Sequence, residues 1–480
     1  MIKKILLVIP LFMLLACNKS QQSTNQNNKT IDRDLSEITA GGTLKALTVY
    51  SGTSYFLYRG RPMGFEYELL NNLAEHLGLD LEIVIARNED DLIDMLNTGK
   101  GDILAHGYTI TQSRKRLMNF TDYLYLSQQV LVQKKPDNWR KMKLHQIQKE
   151  LIQDPIELIG DTVSVKKNSS YAERIKNLSE EIGGEIFIDT LSGSLPAGKV
   201  IQQVVNGDIK LTVVDENIAA INASYFPVLD IDTPVSFSQR IAWGVRKSSP
   251  NLLKKVNSWV DSLKNTTDYY VIYNKYFTNK RQFRARVKSD FYSLNERKIS
   301  PYDPLIKKHS QKLGWDWKLL ASLIYQESQF KPQSESWVGA KGLMQVMPAT
   351  ARELGIQNTA DPKESIQGGT MYLKKLYRSF DQVEDSIQRI KFTIASYNAG
   401  LYHVKDAQAL CEKYDLDPLR WDQNVEKMIL ELSYPKFYND PVVKYGYVRG
   451  IEPYVYVDQI FDRFYHYEQL FKNSSTLMGM

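Results

Sequence analysis

Glu327 sits in Leu323-Ile324-Tyr325-Gln326-Glu327-Ser328-Gln329-Phe330, a run whose residue types allow proton chemistry. Leu320, Leu323 and Ile324 recur at three- and four-residue steps, which predicts a helix with one apolar face. Glu327 continues that face. A carboxyl turned towards a core is costly to ionise, so its pKa is expected to rise until it stays protonated near neutral pH. A carboxyl protonated there is a general acid of the kind that breaks a glycosidic bond. A lone helical glutamate is more often a rim residue paired with Arg or Lys, so the assignment rests on its companions.

Three later motifs supply them. Gly339-Ala340-Lys341-Gly342-Leu343-Met344-Gln345-Val346-Met347-Pro348 is a glycine-bearing loop able to bring backbone and Gln345 near a ligand. Ala395-Ser396-Tyr397-Asn398-Ala399-Gly400 ends a predicted helix with an aromatic ring and an amide, and Glu452-Pro453-Tyr454-Val455-Tyr456-Val457 opens another with two tyrosines. Aromatic faces and amides suit a sugar, which offers C–H faces for stacking and polar groups for hydrogen bonds. Singly, each motif also reads as a turn, a helix cap or core packing. The usual glycosidase scheme needs a second acid about 5–10 Å away. Glu335 and Asp361 are the nearest in sequence, and neither belongs to such a motif.

A second group of charges lies in the first half, at Thr109, Arg114 and Asp215. Arg offers a planar fork to a carboxylate, and Asp attracts an ammonium. The elements around them alternate: strands at 44–50, 79–86 and 102–106, with helices marked by Phe65, Leu69, Leu73 and by Leu92, Leu96. The alternation restarts with strands at 162–166, 185–189 and 211–214. Two α/β lobes of parallel βαβ units follow, with 126–133 and 240–245 as crossing strands and a ligand cleft between. From about 301 the periodicity becomes helical, with helices expected near 304–313, 348–354, 364–380, 386–397, 423–432 and 453–465.

The chain of 480 residues has room for about two to three domains, and 43% hydrophobic and 24% charged residues are ordinary for a globular protein. A net charge of +6 is spread thinly, and with no Walker loop, zinc-finger spacing or basic arm nothing points to nucleic acid. Six scattered histidines and two cysteines call for neither a metal nor a cofactor. Lys3 and Lys4 precede an apolar run too short to span a bilayer, ending Leu14-Leu15-Ala16-Cys17. This resembles a bacterial lipoprotein signal, which implies a lipid on Cys17 that anchors the chain to a membrane. Asn18 after the Cys favours the outer membrane, facing the periplasm. The expected divisions are a signal over 1–17, a polar tether over 18–40, an α/β two-lobed domain over 41–280, a charged linker over 281–300 and a mostly α domain over 301–480.

Two resemblances give these parts roles. Thr109-Ile110-Thr111-Gln112-Ser113-Arg114, Asn119-Phe120-Thr121 and Val213-Val214-Asp215 resemble family 3 bacterial solute-binding proteins, the two-lobed kind that holds amino acids. That resemblance implies that Thr109 and Arg114 grip a ligand carboxylate and Asp215 its amine, with an amino acid, peptide or muropeptide as ligand. Glu66 stands where such receptors often carry Asp. Glu-Ser, Gly-Leu-Met-Gln and Tyr-Asn-Ala-Gly together resemble the lysozyme-like domain of family 1 soluble lytic transglycosylases. The resemblance implies non-hydrolytic cleavage of peptidoglycan glycan strands, with Glu327 as both acid and base. Gln345, Tyr397 and Asn398 would position the sugar, Tyr456 would hold its 2-acetamido group, and Ser328, Met344 and Tyr454 would shape the groove. The alternatives are a hydrolytic muramidase and a solute receptor with a non-catalytic peptidoglycan-binding domain.

Overall fold

The computed structural model describes residues 31, 33–193, 195–293 and 298–472; Cys17 lies outside them. The first lobe is built on a sheet with strand order Asp80–Ala86, Thr43–Val49, Ile103–Thr109, Gln239–Val245 and Asn119–Phe120. The first three strands are parallel, and the near-continuous burial of Thr43–Val49 fits a strand covered on both faces. Gln239–Val245 returns antiparallel from the second lobe. That lobe holds Leu211–Asp215, Gln129–Lys134 and Leu229–Asp230 as an antiparallel trio, beside the parallel pair Thr162–Lys166 and Phe187–Leu191. The crossing strand expected over 126–133 is two strands: Tyr125–Ser127 pairs in the first lobe and Gln129–Lys134 in the second.

Two expected connectors are folded. Within the tether expected over 18–40, Leu35–Gly41 is a helix with Ile38 buried. Asp34 causes this, because its carboxylate caps that helix and also accepts the N–H groups of Asn251 and Leu252 at 3.0 and 2.8 Å. The linker expected over 281–300 begins inside the helix Lys280–Val287. Its Arg286 is buried, donating to the Lys275 carbonyl at 3.2 Å with its guanidinium 5.4 Å from the Tyr276 ring.

The second half is mostly helical, with Asp303–Leu313, Trp317–Ser328, Pro362–Arg378, Ser386–Ala399, Leu401–Lys413 and Ile451–Lys472 among its helices. Leu320, Leu323, Ile324, Phe392, Ile394 and Ile460 are fully buried in one core, so the stripe read from the sequence faces inward as expected. Leu401–Lys413 is a helix where none was expected, following directly after Gly400. A hairpin of the first lobe, Phe56–Tyr58 with Arg61–Met63, joins the two halves. Its Leu57 belongs to the helical core, and a Cβ on Gly60 would stand 2.5 Å from the Tyr467 hydroxyl and 2.6 Å from the Tyr325 ring.

Candidate active site

Glu327 occupies the last turn of Trp317–Ser328, a helix capped at its start by Asp316. The helix stops there because Gln329 and Phe330 take φ of 52° and 58°, a left-handed stretch that side chains rarely adopt. Phe330 is held there by burial against the Tyr325 and Phe291 rings, at 5.9 and 6.2 Å. Glu327 is therefore left at the lip of the core, half-buried. The Tyr456 hydroxyl, from the final helix, donates to its carboxyl. Burial pushes its pKa from an ordinary 4.5 up to about 7, against the lowering influence of that hydrogen bond. The two acids nearest in sequence are engaged elsewhere: Glu335 pairs with Lys341 at 3.1 Å, and Asp361 caps Pro362–Arg378.

The motif residues converge around it, with different parts to play. Ser328 is buried, its hydroxyl donating to the carbonyls of Ile324 and Leu343 at 3.1 and 2.8 Å, which fastens the glycine-bearing loop to the helix. Met344 is also buried; its carbonyl accepts from the Tyr397 hydroxyl at 2.7 Å. These two support the wall from behind. Gln345 has φ of 46°, and its amide nitrogen donates to the carbonyls of Ser334 and Gly342 at 2.9 Å each, leaving the amide oxygen for a ligand. Tyr397 is half-buried, its pKa raised by burial and by Glu327 nearby. Asn398 is exposed, and Tyr454 borders a small depression with Lys391, Asp422 and Asp458.

A larger cavity, of about 400 Å³, lies between the lobes and is lined by Thr109, Arg114 and Asp215 together. Asp215 is buried; it makes no side-chain cap to the helix that follows and accepts from the Tyr171 hydroxyl at 3.1 Å. Burial raises its pKa to about 7. Arg114 lies with its guanidinium 4.0 Å from the Tyr108 ring and donates to the Thr109 carbonyl at 3.2 Å. Glu66 also lines the cavity, buried, with the Trp243 ring N–H donating to it and its pKa raised by burial to about 7.

Sequence reasoning missed Glu89 and Lys166. The Lys166 ammonium of the second lobe meets the Glu89 carboxylate of the first at 2.6 Å, inside the cavity, and His106 approaches Glu89 at 3.6 Å. Burial disfavours the Glu89 charge, but His106 and Lys166 outweigh it and hold the pKa below the usual carboxylate range. Both residues end a parallel strand or follow one, the end of an open α/β sheet where ligands bind, and that signal was available.

The solute-binding proteins of family 3 match residues 47–279, and the transglycosylase SLT domain matches residues 304–417. A membrane-bound lytic murein transglycosylase F from Desulfosudis oleivorans is 34% identical over 429 residues, covering 89% of this chain and 90% of its own. The chain belongs to the membrane-bound lytic murein transglycosylase F family. A relative of the same description from Pseudomonas fluorescens is 31% identical over 460 residues, covering 95% of this chain and 89% of its own. Among solved structures, holo ArgBP from T. maritima is 26% identical with a TM-score of 0.40, covering 51% of this chain and 99% of that one. Tyr454 and Tyr456 fall beyond the SLT match, so the donor to Glu327 comes from outside the matched domain. Among the described residues no helix is long and apolar enough to cross a membrane.

Proposed function

We propose that this lytic transglycosylase cuts the β-1,4 bond between N-acetylmuramic acid and N-acetylglucosamine in peptidoglycan without water as the nucleophile. The observation that carries the reading is the Glu327 carboxyl, protonated up to about pH 7, beside Tyr456 and with Glu335 and Asp361 committed elsewhere. Glu327 gives its proton to the glycosidic oxygen as the C1–O bond breaks. The resulting carboxylate takes the proton from the C6 hydroxyl of the muramic ring as that oxygen bonds to C1, which closes a 1,6-anhydro ring and restores the acid. Gln345, Tyr397 and Asn398 position the sugar, Tyr456 holds its 2-acetamido group, and Ser328, Met344 and Tyr454 shape the groove. Mass analysis of digested peptidoglycan tests this. Anhydro ends, lighter by one water than hydrolysed ends, are expected; reducing muramic ends would make the enzyme a muramidase, and intact strands would make it a receptor.

The interlobe cavity, in this reading, takes an amino acid, peptide or muropeptide whose carboxylate meets Thr109 and Arg114 and whose amine meets Asp215. Its occupancy modulates cleavage. Support comes from the final helix, which carries Tyr456 and, further along, Tyr465 and His466, bonded to the Ile83 carbonyl and the Tyr55 hydroxyl of the first lobe at 2.7 Å each. A lipid on Cys17 holds the enzyme at the outer membrane, facing the periplasm, with the tether, two-lobed domain, linker and catalytic domain following in that order.

A further inference from the structure

Trp337 stands 97% exposed at the tip of the loop between Phe330 and Pro348. An indole left in water is an unfavourable use of the largest apolar side chain, and a floppy loop would fold it back. This loop cannot. The Gly339 N–H donates to the Ser336 carbonyl at 2.9 Å, with Gly339 at φ of 84°, which closes a tight turn around Trp337 and Val338. The Ser336 N–H donates to the Ala340 carbonyl at 2.9 Å, and the Ser336 hydroxyl accepts from the Ala340 N–H at 3.0 Å. Below the turn, Glu335 and Lys341 form both a backbone bridge and an ion pair, and Lys341 bridges to Val346. The indole is presented on a braced arm.

The base of that arm is the wall of the active site. Gln345 donates to Ser334 and Gly342 within it, and the Leu343 and Met344 carbonyls are bonded to Ser328 and Tyr397. Val338 and Met347 are also exposed, at 46% and 42%, and a Cβ on Gly339 would stand 3.9 Å from Pro348, so the indole is not the only apolar surface this loop presents. From the Ser334–Gly342 rung to Trp337 is three residues, roughly 10 Å at strand spacing. The indole thus projects from the loop whose base is bonded to Ser328 and Tyr397, beyond the rung rather than at it.

We propose that Trp337 is a stacking platform for a sugar of the glycan strand beyond the pair being cut. The platform extends the cleavage reading given above and rests on it. A pyranose ring offers one apolar C–H face of indole size, while its edges would meet the polar Ser336 and the ion-paired Glu335 and Lys341. Those paired charges directly beneath a two-residue tip argue against insertion into a bilayer.

The test uses the full chain in a Glu327→Gln background, so that nothing is cut, with peptide-free glycan strands as the probe. Strand binding should shift the Trp337 emission to the blue and shield it from acrylamide, a signal absent in Trp337→Phe. Trp337→Ala should weaken binding about tenfold, while Trp337→Phe stays within about threefold, because an aromatic face is retained. Unchanged affinity in Trp337→Ala, with no emission change in the parent, would overturn the proposal. So would a loss of binding to phosphatidylglycerol vesicles with strand binding intact, which would make the tip a membrane contact. Cleavage surviving in Glu327→Gln alone would sink the acid assignment, and the binding comparison would still decide Trp337.

Discussion

Replacing Glu327 by Gln should abolish cleavage and stabilise the catalytic half, and the second effect can be sized. Burial lifts the Glu327 pKa from 4.5 to about 7. At about 1.4 kcal/mol per tenfold change in proton affinity, this displacement bounds the cost of the buried charge at roughly 3 kcal/mol, and partial exposure brings it to about 1–2 kcal/mol. The sign follows from which state holds the proton. The folded pKa lies above the unfolded one, so the folded state binds the proton more tightly; stability is greatest below pH 4.5 and is lost as the pH rises through about 7. Glu327→Gln removes the titration while keeping an acceptor for the Tyr456 hydroxyl. At pH 8 the variant should therefore melt higher than the parent, by roughly 2–8 °C for a domain of this size, and at pH 4.5 the gap should close. Calorimetry of the full chain at the two pH values resolves this, provided the transition of the catalytic half is followed separately. An equal or lower melting temperature at pH 8 would refute the desolvated carboxyl. Cleavage falling by less than about a hundredfold would refute the acid role.

Three other perturbations probe separate parts of the molecule. Tyr456→Phe removes the donor that lowers the Glu327 pKa, so the high-pH limb of the cleavage profile should move upward and kcat should fall about tenfold to a hundredfold; a pH–rate profile reads both. Gly60→Ala puts a Cβ against Tyr467 and Tyr325 at a φ of 72°, at a cost of about 1–3 kcal/mol, and should blunt the response of cleavage to added muropeptides while glycan binding persists. Arg114→Ala should remove ligand binding to the interlobe cavity in calorimetry, and unchanged binding would show that the carboxylate is held elsewhere.

Local features were legible because local physics produces them. The Leu320, Leu323, Ile324 stripe predicts its own burial, and the strand ends at Ala86 and Val245 fall where the apolar runs end. Features closed across the chain were not. Tyr456 is 129 positions from Glu327, and nothing at either end announces the bond. Ser328 and Met344 carry the motif letters, yet their polar groups are spent on the Leu343 carbonyl and the Tyr397 hydroxyl, an inward use that spacing cannot reveal. Asp34 looks like part of a polar tail until Asn251 and Leu252 offer it N–H groups from more than two hundred residues away.

The same long-range closure bears on how a ligand between the lobes could alter cleavage at Glu327. Tyr50 lines the interlobe cavity and meets the Tyr55 ring edge-on at 5.6 Å, and the Tyr55 hydroxyl bonds His466 at 2.7 Å. Ten residues, about 15 Å of helix, separate His466 from Tyr456. A chain of contacts alone proves no coupling, because moving both partners of a hydrogen bond together leaves it unchanged. Glu327 and Tyr456, however, belong to different helices, and the Gly60 turn touches one through Tyr325 and the other through Tyr467, whose hydroxyl donates to the Gly60 carbonyl at 2.9 Å. A turn lodged between two helices acts as a wedge. Displacing it changes the separation of those helices, and a change of well under 1 Å suffices to weaken a hydrogen bond. The acid and the hydroxyl that tunes it are one of the hydrogen-bonded pairs that cross between these helices, so lobe movement should register in the pH dependence of cleavage.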